Sequence, residues 1–162
     1  AFIAAEKEIV DYLRYNMRSQ TFAKSLPMPM VIGALKRLEL LQTKPELKSN
    51  LWKIVDALQS GLKERGFDIG VTESPVTPVY MHGGVIEATS MVMDLRENYG
   101  IFCSVVIYPV IPKGDILLRL IPTAVHTLDD VKETLDAFEA CREKLVKGHY
   151  KNKEFPVIPK GL

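Results

Sequence analysis

The spacing of apolar residues changes partway along the chain, and this change limits the fold more than any other feature. Up to Gly66, apolar residues recur every three or four positions, as on the buried face of an amphipathic helix. Beyond it, short segments rich in β-branched and aromatic residues alternate with helical segments. Helices followed by a β-α-β-β-α order predict an α+β domain, in which helices cover one face of a small antiparallel or mixed sheet.

The bounds of the elements follow from apolar spacing and from residues that begin or end helices. Pro45 suits the first turn of a helix, and Gly66 and Gly100 suit the left-handed position after one. Thr127 and Asp130 form a variant of the capping box. These signals predict helices over residues 1–18, 30–41, 45–65, 85–99 and 128–147, strands over 76–81, 101–107 and 116–121, and an extended or looped stretch over 19–29.

The composition argues against several classes of protein. A formal net charge of +1, with scattered basic residues, does not favour nucleic acid or a membrane surface as a partner. No run approaches the roughly 20 apolar residues of a membrane-spanning helix. Cys103 and Cys141 lie in apolar patterns, which favours a reducing compartment, and the three histidines add no metal-ligand spacing. We expect a cytoplasmic protein without a metal site, cut from a longer chain because it begins without methionine.

Arg119 is the most unusual charged residue, because it lies within the apolar segment Ile-Leu-Leu-Arg-Leu-Ile. Burial of an unpaired guanidinium is very costly, so Arg119 must face solvent, pair with an acid, or line a pocket for an anion. Its planar fork can hold a carboxylate through two hydrogen bonds. From spacing alone, ligand binding and structural pairing are equally well supported.

Two further motifs have a chemical and a structural interpretation. His126 could act as a general acid or base, but its position beside a helix cap favours a structural role. His82-Gly83-Gly84 lies between a strand and a helix, where it could cradle a phosphate. The full phosphate-binding patterns are absent, so a plain turn is the favoured interpretation.

A longer set of motifs resembles the C-terminal domain of the α-oxoamine synthases, which are fold-type I pyridoxal-phosphate enzymes. The family pattern is a proline-x-x-proline-x-glycine turn, a strand that holds an arginine, and an alanine-x-histidine-threonine start to the final helix. The matching residues here are Pro109, Pro112, Gly114, Arg119, Ala124, His126 and Thr127. The resemblance covers nearly the whole chain except the tail, and it assigns Arg119 to the carboxylate of the amino-acid substrate.

The N-terminal region is similar to the same family. The segment that starts at Ala1 resembles the stretch just after the cofactor lysine, so the resemblance implies that the Schiff-base lysine lies upstream and is not Lys7. No catalytic residue is therefore expected in this chain. Phe22-Ala-Lys-Ser-Leu-Pro resembles a segment whose hydroxyls reach the cofactor phosphate bound by the other subunit. Ser25 is the candidate here, since Ala23 replaces the first hydroxyl.

The resemblance implies an activity and a domain organisation. The full-length enzyme would use pyridoxal 5′-phosphate to condense an amino acid with an acyl-CoA. Within the family, the motifs most resemble those of the bacterial serine palmitoyltransferases, which form 3-ketosphinganine. Residues 1–45 would be connecting helices from the end of a large domain, 46–150 the small α+β domain, and 151–162 an irregular tail. Its partners would be its own N-terminal domain and a second subunit, and the chain alone is expected to be inactive and to bind no cofactor.

Other functions fit the same residues. Glycine C-acetyltransferase and 8-amino-7-oxononanoate synthase belong to the same family. The small domain of a class I/II aminotransferase shares the fold type and a carboxylate-binding arginine, but it fits the His126-Thr127 motif less well. A binding module without catalysis is the alternative from another class.

Overall fold

The structure, a computed structural model, describes residues 3–151 and divides after Thr43 into two compact units. We call residues 3–43 the N-terminal unit and residues 44–151 the C-terminal unit. The predicted tail over 151–162 lies outside the described residues, apart from Lys151. Along residues 3–151, no helix is both long enough and apolar enough to cross a membrane.

The N-terminal unit consists of helices, as its spacing predicts, but their bounds differ from the prediction. They are α1 (Lys7–Asn16), α2 (Arg18–Thr21) and α3 (Met28–Thr43). Met17 has an extended backbone (φ −84°, ψ 108°) that separates α1 from α2, so the single helix predicted over 1–18 is wrong. The prediction of an extended stretch over 19–29 fails at its start, because the Met17 carbonyl accepts the N–H groups of Gln20 and Thr21 and forms a helical turn.

The helices of the N-terminal unit bury none of their residues within this chain. Their large apolar side chains are exposed instead, including Phe22 at 80% and Leu41 at 67%. A stretch of exposed apolar surface on this scale is rare on a protein that acts alone.

The C-terminal unit has the predicted α+β architecture. Its elements are α4 (Pro45–Glu64), β1 (Thr77–Tyr80), α5 (Val85–Tyr99), β2 (Ser104–Val106), β3 (Leu117–Leu120) and α6 (Leu128–Val146). The described strands form one antiparallel sheet in the order β1-β3-β2, so β3 is central. Pro45 begins α4, the bounds of α5 agree with the prediction, and the capping box at Thr127 begins α6, as the sequence predicts.

The strand β2 is shorter than its apolar segment, because the residues on either side of it use their backbone groups elsewhere. The N–H of Ile101 donates to the Leu95 carbonyl (2.9 Å), closing the end of α5 beside the left-handed Gly100 (φ 70°). The Ile107 carbonyl accepts from Val110 N–H (3.0 Å) in the following turn. Only Ser104–Val106 remains to pair with β3, rather than the predicted 101–107.

The core of the C-terminal unit lies between the sheet and helices α4, α5 and α6. It contains Leu58, Leu62, Val79, Met91, Leu95, Leu118, Leu135, Phe138 and Cys141, among others. Gly61 sets the distance between α4 and α6, since a Cβ at this position would overlap the δ-methyl groups of Leu135. The close approach of the two helices therefore depends on the absence of a side chain at Gly61.

Replacing Gly61 with alanine is expected to destabilise the C-terminal unit. Alanine favours the helix by about 0.5–1 kcal/mol, but overpacking a core typically costs about 1–3 kcal/mol. Leu135 is buried and has little room to move, so we expect the free energy of unfolding to fall by about 1 kcal/mol in urea titrations. Gly33→Ala in α3 is the matched control, because its Cβ would meet nothing closer than 3.6 Å. An unchanged or higher stability of Gly61→Ala would contradict the packing argument.

Candidate functional site

Arg119 lies on the face of the sheet that the helices do not cover. Successive residues of a strand point to opposite faces. Leu118 and Leu120 belong to the buried core, so Arg119 between them points away from it and is exposed. This alternation explains how an arginine fits into an otherwise apolar strand without the cost of burial.

The Arg119 guanidinium has no acidic partner in the structure. Among residues 3–151, no salt bridge or hydrogen bond of its side chain is formed. Of the arrangements that the sequence left open, the structure therefore shows the exposed one. Five N–H donors without an acceptor make this side chain available to an external anion such as a carboxylate.

The register defines what surrounds Arg119. Pro78 of β1 and Ser104 of β2 are its direct partners across the two strand pairs, so the three side chains form one row on the uncovered face. The neighbouring row contains Tyr80, Leu117 and Val106, of which Leu117 is buried. We call these six residues the open sheet face. Sequence analysis missed Ser104, because only the register places it beside Arg119.

Ser25 lies in the N-terminal unit, between α2 and α3, and its side chain is exposed. Its contact with the cofactor phosphate stays a prediction. A single hydroxyl does not hold a phosphate dianion, which proteins bind with several N–H groups or basic side chains. The described part of this chain therefore does not fit a complete pyridoxal-phosphate site.

His126 and the His82-Gly83-Gly84 motif form local contacts beside the helices that follow them. The Nδ1 atom of His126 accepts the Thr123 N–H (2.9 Å) in the turn before α6, so this nitrogen is occupied. The Gly84 N–H donates to the Glu87 carboxylate, which occupies the start of α5 where a phosphate would bind. Both favoured interpretations from the sequence agree with these contacts.

A buried polar network joins α5 to the end of α6. The Asp94 carboxylate is 5% exposed and accepts from Lys144 Nζ (2.9 Å), the Tyr150 hydroxyl (2.5 Å) and Asn98 Nδ2 (2.5 Å). The thiol of Cys141 lies 3.7 Å from the same carboxylate. Sequence analysis missed this network, although an aspartate between the inward-facing Met91 and Leu95 was a possible signal.

The network changes the ionisation of its members. Burial alone would raise the pKa of Asp94, but hydrogen bonds from Tyr150, Lys144 and Asn98 outweigh it and hold the pKa well below its usual range. Burial and the same carboxylate raise the pKa of Tyr150. The hydrogen bond to Asp94 likewise raises the pKa of Lys144. All of these shifts keep the Asp94 carboxylate charged and keep the protons on Lys144 and Tyr150 that it accepts. This pattern is typical of a network that stabilises the fold.

Comparison with known proteins identifies relatives of this chain. A cysteate-C-fatty acyltransferase from Capnocytophaga ochracea is 62% identical over 93% of this chain and 36% of its own length. A serine palmitoyltransferase from Sphingobacterium spiritivorum is 35% identical over 83% of this chain and 33% of its own length. The solved serine palmitoyltransferase from S. paucimobilis with bound PLP superposes with a TM-score of 0.73 and 28% identity, covering 85% of this chain and 34% of that one. No protein-family model matches the sequence.

The fold and the sequence similarities agree on the family of this chain. The antiparallel sheet with its helices is the C-terminal domain fold of pyridoxal-phosphate enzymes of the serine palmitoyltransferase type. The chain belongs to the α-oxoamine synthase family, as the sequence motifs predict. It spans about a third of the length of the curated relatives that it matches.

Removal of the Asp94 charge is expected to destabilise the C-terminal unit in a pH-dependent manner. Asp94→Asn leaves Lys144 without its counter-charge, and we expect a loss of about 2 kcal/mol at pH 7 in urea unfolding. Because the folded state lowers the pKa of Asp94, its stabilisation is present above about pH 4 and is lost as the pH falls toward the lowered value. The difference between parent and variant should therefore be smaller at pH 3. Asp56→Asn removes a charge at an exposed position on α4 and is the matched control. An equal loss of stability in Asp94→Asn at both pH values would contradict the role of the charged Asp94 carboxylate.

Proposed function

We propose that the full-length enzyme joins cysteate to a fatty acyl group carried as a CoA thioester. The observation that supports this choice most strongly is the 62% identity to a cysteate-C-fatty acyltransferase, against 35% to a serine palmitoyltransferase. Serine as the amino acid, which the sequence motifs favour, is the second candidate. The two substrates differ only in the β-substituent, a sulfonate in cysteate and a hydroxyl in serine.

The proposed reaction forms a bond between the α-carbon of the amino acid and the acyl carbonyl carbon. The thioester C–S bond breaks and releases CoA, and the carboxyl group leaves as carbon dioxide. Pyridoxal phosphate supplies the electron sink that stabilises negative charge at the α-carbon. The large domain outside this chain would hold the cofactor and its lysine, since the described residues do not form that site.

This chain would contribute the group that binds the substrate carboxylate. Arg119 is exposed on the open sheet face and has no acidic partner among the described residues. Its role is to orient the amino acid for attack on the thioester, which lowers the entropic cost of bringing two substrates together. Ser25, by contrast, would reach only the phosphate of the cofactor held by the partner subunit.

The exposed apolar helices of the N-terminal unit support the proposed partners. In the full-length homodimer, the large domain and the second subunit would cover side chains such as Phe22, Leu35 and Leu41, which are exposed in this chain. Residues 1–45 would then serve as connecting helices from the large domain. The chain by itself would be inactive, because the cofactor-binding residues lie in that domain.

The amino-acid substrate can be identified by following CoA release from the full-length enzyme. Purified enzyme would be supplied with palmitoyl-CoA and with cysteate, serine, glycine or alanine in turn. We expect the highest kcat/KM with cysteate, and no CoA release from residues 1–162 alone. A preference for serine would replace cysteate by the second candidate. Absence of CoA release with every amino acid, together with transamination, would favour the aminotransferase alternative.

Substitution of Arg119 in the full-length enzyme tests its role. Arg119→Ala should raise the KM for the amino acid by about 10- to 100-fold, the value of one or two hydrogen bonds to a charged group. Arg119→Lys should be intermediate, because lysine keeps the charge and loses the planar fork. Arg96→Ala is the matched control, since Arg96 is an exposed arginine of α5 that pairs only with its neighbour Glu97 among the described residues. An unchanged amino-acid KM in Arg119→Ala would remove Arg119 from the site.

A further inference from the structure

We infer that Ser104 is a second substrate-binding residue, whose hydroxyl donates a hydrogen bond to the carboxylate held by Arg119. This inference rests on the proposed role of Arg119 in the full-length enzyme. Ser104 lies fifteen positions before Arg119 in the sequence and on a different strand, β2 rather than β3.

The strand register places the Ser104 side chain beside that of Arg119. Ser104 and Arg119 are direct partners in the antiparallel β2–β3 pair. Side chains that are directly opposite each other in such a pair point to the same face, with Cβ atoms about 4.5–5.5 Å apart. Val105, the next residue on β2, packs against the core, which confirms that Ser104 points to the open sheet face. An anion at the base of the Arg119 side chain would therefore lie within reach of the Ser104 hydroxyl.

Ser104 and Arg119 both have hydrogen-bond donors that are available to a ligand. Ser104 is half-buried, and its hydroxyl forms no hydrogen bond to any other described residue. Arg119 likewise has no ion pair within residues 3–151. A serine and an arginine side by side, both without a partner among residues 3–151, provide donors that a ligand can use.

The chemistry of the row favours a carboxylate as the shared ligand. A carboxylate offers about four lone-pair sites, and a bidentate arginine uses two of them. The other neighbour of Arg119 in the row is Pro78, which has no side-chain donor. In the adjacent row, Leu117 and Val106 are apolar, and Tyr80 is the partner of Leu117 rather than of Arg119. Among the described strands, Ser104 is therefore the polar residue directly opposite Arg119.

The test compares Ser104→Ala, Ser104→Thr and Ser104→Cys in the full-length enzyme. We expect Ser104→Ala to raise the KM for the amino acid about tenfold, with kcat and the KM for palmitoyl-CoA changed by less than about twofold. Ser104→Thr retains the hydroxyl and should remain close to the parent enzyme. Ser104→Cys retains a side chain of similar shape but only a weak donor, so it should raise the KM for the amino acid as Ser104→Ala does. It provides the same test if the alanine variant folds poorly.

Inhibition constants of three substrate fragments show which part of the amino acid Ser104 contacts. Alanine retains the carboxylate without a sulfonate, alaninamide has neither a carboxylate nor a sulfonate, and taurine retains the sulfonate without the carboxylate. We expect Ser104→Ala to weaken inhibition by alanine about tenfold and to leave alaninamide and taurine unchanged. Weaker inhibition by taurine alone would overturn the inference, because it would assign Ser104 to the β-substituent.

The two variants Arg119→Ala and Ser104→Ala together distinguish an error about Ser104 from an error about Arg119. If Arg119→Ala raises the amino-acid KM and Ser104→Ala does not, the inference is wrong and the role of Arg119 stands. If neither variant changes the amino-acid KM of an enzyme that releases CoA, both assignments are wrong. If Ser104→Ala lowers the thermal midpoint and impairs both substrates equally, Ser104 has a structural role and the inference is overturned.

Discussion

The pairing of β3 with a strand on each side is the constraint on which the candidate site depends. Leu118 and Leu120 bury one face of this central strand against the helices, and the two-residue period of a strand then fixes Arg119 on the other face. A shift of the register by one residue would bury the guanidinium and expose two leucines. The apolar core of the C-terminal unit therefore determines the face of the sheet on which Arg119 lies.

The two units of the chain differ in how they bury apolar surface. The C-terminal unit has its own core, a close α4–α6 contact at Gly61, and the Asp94 network, which ties the chain at Tyr150 to α5. The helices of the N-terminal unit bury none of their described residues. This contrast supports the proposal that the C-terminal unit presents the substrate carboxylate site, while the N-terminal unit packs on a larger domain and a second subunit.

Sequence analysis was most accurate where a single local signal determines the structure. The Thr127 capping box, Pro45 at the start of α4 and Gly100 at the end of α5 each act through their own backbone geometry, and all three were predicted. It was least accurate at strand ends and near Met17. There, the bounds depend on which partner each backbone group finds, such as the bond from Ile101 to Leu95 that shortens β2.

The sequence by itself determined the order of the elements in the C-terminal unit, the α+β class, the family and the unusual position of Arg119, because these follow from apolar spacing and short motifs. Only the tertiary structure decided what lies beside Arg119. Ser104 and Asp94 acquire their partners through strand register and helix packing, which join residues far apart in the chain. No local pattern encodes those distances, since they depend on how all the buried side chains fill the core together.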